Sequence, residues 1–135
     1  MSSAESKSGV DQHDDLVNAM ARERGVRIRD WHRIVVKYDP GMLQRHTENV
    51  LAVMNLPELP KSTKELIIIA IDAANYWPGI SVHIRSALKE GATEAQIAEA
   101  IITAGVPCGP HAVVYGMEKL KQTLDEMASE QGSGG

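Results

Sequence analysis

The chain has 135 residues, a formal net charge of −4, one cysteine and few aromatics: no Phe, two Trp and three Tyr. This length suits one domain with a real core. The scattered Lys and Arg form no basic stripe, so a nucleic-acid partner is not expected. Cys108 alone cannot form an intramolecular disulfide.

The first residues, Met1 to Gln12, are polar and Ser-rich and read as a disordered tail without the apolar stretch of a secretory signal. Residues 13–128 read as a single helical domain, and residues 129–135 as a Gly/Ser-rich tail. Asp14–Arg24 places Leu16, Val17, Met20 and Ala21 on one face and stops at Gly25. In Arg29–Tyr38 the apolar residues Trp31, Ile34, Val35 and Tyr38 recur at helical spacing, and Asp39-Pro40 ends the run. Met42–Met54 is a third helix, followed by the proline-bounded loop NLPELP.

Ser62 or Thr63 is the expected N-cap of the next element. Leu66–Ala74 is apolar nearly throughout, with Glu65 before it and Asp72 inside it. Its β-branched residues would also suit a strand. Its length from cap to Asn75, and the lack of any strand to pair with, favour a helix at the centre of a bundle. It is far short of the roughly 20 apolar residues a bilayer span needs, so no membrane association and a cytoplasmic setting are expected. Tyr76–Ile80 is a Pro/Gly break. Ser81–Glu90 is a fifth helix closed by Gly91, and Thr93-Glu-Ala-Gln96 is a capping box opening Glu94–Ala104. GVPCGP reads as a turn or helix break. His111–Met127 closes the fold on a stripe of Val113, Val114, Met117, Leu120 and Leu124. The fold class is therefore all-α, a compact bundle of six to seven short helices. The scarcity of large rings suggests burial completed at a subunit interface, hence a homo-oligomer.

His83 is the first candidate for chemistry. Its intrinsic pKa near 6.5 suits proton transfer at neutral pH, but a histidine at the edge of a core can equally be structural. Glu65 and Asp72 are seven residues apart and share a helix face, so either could orient His83. Equally, Glu65 could complement the helix dipole and Asp72 make a buried structural bond. A carboxylate inside an apolar run is costly unless partnered, which makes Asp72 the harder of the two to dismiss. Arg85, two residues past His83, either grips a substrate carboxylate or makes a salt bridge between helices. His111 is a second acid/base candidate or a first-turn residue. Cys108 is a thiol nucleophile or a small apolar residue. Tyr76 and Trp77 are candidate pocket walls. Trp31 could join them, but reads more readily as core. The spacing of His and Cys offers no metal signature.

Three stretches, LPKSTKELIIIAIDAA, HIRSALKEGATEAQI and AGVPCGPHAVVYGMEKL, resemble the carboxymuconolactone decarboxylase family, with its alkylhydroperoxidase-D-like all-helical fold. The middle block is the most telling, with His83, Arg85, Ala87, Leu88, Gly91, Ala92, Thr93 and Ile97 in the family's places. The resemblance spans roughly Trp31 to Leu124. The family's redox branch carries C-x-x-C-x-x-x-H, and the positions of its two thiols are Tyr76 and Gly79 here. That excludes a dithiol cycle on one chain and aligns the sequence with the non-redox branch. The resemblance implies a lyase without cofactor or metal, acting on a small carboxylated lactone or enol-type acid. His83, Glu65 and His111 would be catalytic, and Asp72, Tyr76, Trp77 and Arg85 would bind the substrate. It also implies trimers or hexamers. A non-catalytic ligand-binding or scaffold oligomer of the same fold is the alternative, and a single-cysteine redox protein acting through Cys108 is the second.

Overall fold

The computed structural model describes residues 9–133, all helix and connecting turns with no strand among them. Seven helices follow in order: α1 (Gly9–Arg24), α2 (Asp30–Tyr38), α3 (Met42–Met54), α4 (Lys61–Ala74), α5 (Ile80–Lys89), α6 (Glu94–Cys108) and α7 (Pro110–Ser133). The apolar Leu66–Ala74 run is helical, as its length and flanks imply. None of the helices is long and apolar enough to cross a membrane. Where polar tails are expected, α1 already includes Gly9 to Gln12 and α7 continues to Ser133. Residues 1–8 and 134–135 lie outside the described residues. The helices sort into two compact units, Met1–Leu56 and Pro57–Gly135, within the stretch the sequence reads as one domain.

In the Met1–Leu56 unit, α1, α2 and α3 enclose Val17, Met20, Val36 and Leu43. The face of α2 that is buried is not the one its apolar spacing suggests. Trp31, Ile34 and Tyr38 are exposed, Tyr38 at 84%. The residues turned inward are His32 and Val36, one turn apart. His32 earns its place through the backbone: its Nδ1 accepts the Arg29 N–H at 2.8 Å, closing the start of α2.

In the Pro57–Gly135 unit, α4 contacts α5, α6 and α7, as a helix apolar nearly all round must. Ile69 and Ala73 of α4 meet Ile80, Ile84 and Ala87 of α5, Ile97 and Ile101 of α6, and Leu120 of α7. Each fully buried Ile contributes about 1.5–3 kcal/mol. The buried seam of α7 is Ala112, Gly116, Leu120 and Thr123, while Val114 faces out. Of the expected stripe, Leu120 is buried and Met117 and Leu124 pack against the core; the seam also takes in Ala112 and Gly116, and the cause is close approach. A Cβ on Gly116 would overlap Ile101 Cγ2 and come to 3.1 Å of Ala73 Cβ, so only a residue without a side chain fits there.

Two helix ends also differ from expectation. Pro60, extended at ψ 150°, caps α4, so Ser62 and Thr63 lie inside its first turn instead of at the cap. A proline supplies the fixed φ, and the chain enters the helix one residue later. α6 runs on through Pro107 to Cys108, so GVPCGP is a helical end and not a break after Ala104. The Thr93–Gln96 capping box forms in full, with Gln96 N–H donating to Thr93 Oγ1 at 3.1 Å and Thr93 N–H donating to Gln96 Oε1 at 2.9 Å.

Candidate active site

The site is assembled on α4, α5 and α7 around the turn after Ala74. That turn closes as a Schellman motif, with Trp77 N–H donating to Asp72 O at 2.9 Å. The residue in the left-handed position is Tyr76, φ +52°. At the end of α5 the same closure, Ala92 N–H to Ala87 O at 2.9 Å, uses Gly91, φ +97°. A side chain in that conformation costs about 1–2 kcal/mol. Here it aims the Tyr76 ring at α7, where its centroid is 5.3 Å from that of His111 and 5.3 Å from that of Tyr115, edge-on. Trp77 folds over Gly79, and a Cβ there would lie 2.9 Å from the indole Cδ1.

His83, in the first turn of α5, lies with its Nδ1 2.8 Å from Glu65 Oε2. The Glu65 residue is 7% exposed and the His83 side chain 22%. The imidazole is thus held by a carboxylate inside the core while part of its ring stays accessible. Asp72, two turns along α4 from Glu65, is half-buried, and its Oδ2 is shut from solvent with no hydrogen-bond partner. Burial pushes the Asp72 carboxyl up to about 6; the nearby Glu65 charge also raises it and His83 opposes the rise. Of the two carboxylates open at the level of sequence, Glu65 makes the hydrogen bond and Asp72 acts on His83 through space.

The remaining sequence candidates are engaged as follows. His111 Nε2 lies 3.3 Å from the Ala74 carbonyl, an arrangement in which the ring N–H donates to an orphan carbonyl at the end of α4. Arg85 grips Glu130 through both terminal nitrogens, at 2.9 and 3.0 Å, and reaches Glu126 at 3.5 Å. The Glu130 hydrogen bonds hold its guanidinium firmly charged. Cys108 is exposed at the end of α6. Among the described residues no three His, Cys, Asp or Glu side chains converge to hold a metal ion.

Tyr115 is absent from the sequence candidates. Burial and the Asp72 charge raise its hydroxyl pKa, and the Lys119 ammonium sits 5.6 Å from its ring centroid. The spacing His111, Tyr115, Lys119 is four and four, which puts all three on one helical face. That pattern was available in the sequence.

Fold and site together define an all-helical protein whose most buried glutamate orients a histidine across two helices. A model of the carboxymuconolactone decarboxylase family matches residues 40–122. The chain belongs to the carboxymuconolactone decarboxylase family. Nitrosuccinic acid decarboxylase npaB of Metarhizium robertsii is 28% identical to it over 79 residues, 58% of this chain and 55% of the relative. The chain thus matches about half the length of that curated protein. A crystal structure from Burkholderia xenovorans LB400, of a protein provisionally named a carboxymuconolactone decarboxylase, superposes with a TM-score of 0.73. The superposition covers 93% of this chain and 98% of that one at 18% identity, a likeness of fold.

Proposed function

We propose that this protein is a cofactor-independent decarboxylase of a small carboxylated acid, with His83 as the proton donor and Glu65 as the group that orients it. The observation carrying this reading is the 2.8 Å His83–Glu65 contact within the core of a family member. A carboxylate on one ring nitrogen fixes the orientation and tautomer of the imidazole.

Loss of CO2 without a cofactor needs an electron-accepting group already in the substrate. A lactone carbonyl or an enol-type acid supplies one. A nitro group beside the breaking bond, as in the acid named for the Metarhizium relative, supplies another. The electron pair of the C–CO2 bond moves into that group and CO2 leaves. The resulting carbanion then takes a proton from the His83 imidazolium, which is restored from solvent. Tyr76 and Trp77 are the apolar walls of this reading.

The test is CO2 release from nitrosuccinic acid and from carboxymuconolactone, measured for the wild type and for His83→Gln. The substitution is expected to lower turnover by about 10²–10⁴-fold with an unchanged circular dichroism spectrum. Equal turnover by the two proteins removes the reading.

A further inference from the structure

We infer that Asp72 is a second catalytic residue, a neutral carboxylic acid that donates its O–H to the electron-accepting oxygen of the substrate while CO2 leaves. This rests on the decarboxylase reading above and adds the group that reading lacks, a donor for the negative charge that develops.

Buried polar atoms are almost always partnered, and one that is not calls for a reason. Asp72 Oδ2 is buried without a partner, on the helix that packs against α5, α6 and α7. Its neighbours explain why the fold does not satisfy it. On its own helix stands Glu65, already bound to His83. From α5 the ionisable neighbour is His83, and from α7 it is Tyr115, which feels the Asp72 charge. The buried residues of α6 are Ile97, Ile101 and Ala104, none of them ionisable. Among the described residues the basic group acting on Asp72 is the His83 imidazole, whose Nδ1 is taken by Glu65. An ionised Asp72 would therefore repel both Glu65 and an incoming carboxylate. A protonated Asp72 repels neither, and an O–H on Oδ2 has no acceptor among the described residues.

That donor suits a substrate whose acceptor group carries oxygen. As the C–CO2 bond breaks, its electron pair passes to that oxygen, where the Asp72 O–H strengthens its hydrogen bond without giving up the proton. His83 then protonates carbon and the electron pair returns from oxygen. Preorganised donors of this kind act where charge appears, in a site that excludes water. A carboxylic acid kept neutral by its surroundings is a known form of such a donor. Burial supports the protonation state, holding the Asp72 carboxyl up to about 6 against its ordinary 3.8.

The test follows the Asp72 carboxyl by carbon-13 NMR in the full chain, its signal assigned by its absence from Asp72→Asn. Titrations are run free, with 3-nitropropanoate, and with propanoate, which has the same charge and no electron-accepting group. The expected result is a midpoint near pH 6 in the free protein, raised by 3-nitropropanoate by at least one pH unit more than by propanoate. A midpoint in the ordinary carboxylate range overturns the inference, as does an equal effect of the two probes. Where an acid is turned over, Asp72→Asn, which can donate but not ionise, is expected to keep more of the wild-type rate than Asp72→Ala. Asp72→Ala is expected to lose about 10²–10³-fold. Equal rates for the Ala variant and the wild type overturn Asp72 while leaving His83 in place. Loss of the His83→Gln effect would instead overturn the reading beneath both.

Discussion

In the Met1–Leu56 unit a helical imidazole serves the backbone, and in the Pro57–Gly135 unit one is held by a carboxylate. His32 is 3% exposed, accepts the Arg29 N–H and lies against the Trp31 ring with centroids 4.0 Å apart. Burial, then the charges of Arg24, Arg29 and His46, lower its pKa to about 4. It is a neutral acceptor and nothing asks it to change state. His83 has the opposite setting, with a buried glutamate on one nitrogen and a ring that is partly accessible. The comparison shows why a histidine's position alone does not reveal its use. The partner does: a backbone N–H occupies a ring nitrogen of His32, and a carboxylate fixes the orientation of His83.

The sharpest way to break this contrast is to remove the carboxylate. Glu65→Gln keeps the size and a hydrogen bond but takes away the charge. Turnover should fall on the order of 10²-fold or more, as it does when the group orienting a catalytic imidazole is neutralised, with folding preserved. Steady-state rates on the substrate that passes the His83 test would show it. Unchanged rates would put Glu65 back among residues that merely suit the start of a helix.

The second effect concerns acid and the other histidine. The folded-state pKa of His32 lies below its unfolded value of 6.5, at about 4. The unfolded chain therefore takes up its proton first. The stabilisation from neutral His32 is complete above pH 6.5 and is lost as the pH falls towards 4. His32→Gln offers a carbonyl to the same N–H and does not ionise. The stability difference between wild type and variant, from urea midpoints, should shift in favour of the variant across that window. A constant difference would mean that His32 is not held neutral.

The same two histidines mark how far the sequence could be read. Helical periodicity located the elements because a 3.6-residue repeat needs only one covered face. It could not say which face. In α2 the larger apolar residues, Trp31, Ile34 and Tyr38, are exposed while His32 is buried, since a capping bond outweighs side-chain polarity. In α7 the buried seam runs through Ala112 and Gly116, small residues chosen by the closeness of α4 and α6. Hydrophobicity gives such residues little weight. At the site, His83 was legible from its place in a family pattern, but its partner was not. Glu65 and Asp72 share a face of α4. Symmetry about the turn at Trp77 would set His83 against Asp72, six residues on one side and five on the other. The packing of α5 on α4 instead brings it to Glu65, and only three dimensions supply that crossing.

Arg85 closes the comparison, because it offers the smallest expected effect. It lies two residues past His83, yet its guanidinium is bound to α7 by a bidentate pair with Glu130 and a longer contact to Glu126. Both glutamate side chains are about half exposed. Pairs in such settings contribute about 0–1 kcal/mol, less at high salt. Arg85→Ala should therefore move the urea midpoint slightly, by an amount that shrinks as salt is added, and leave turnover and KM unchanged. A raised KM at constant kcat would mean that the guanidinium leaves Glu130 to hold a substrate carboxylate in the ground and transition states alike. The bidentate geometry argues against that, since releasing Arg85 breaks two hydrogen bonds to a carboxylate in order to form two to another. The exchange is close to neutral unless the substrate's carboxylate is the less hydrated of the two.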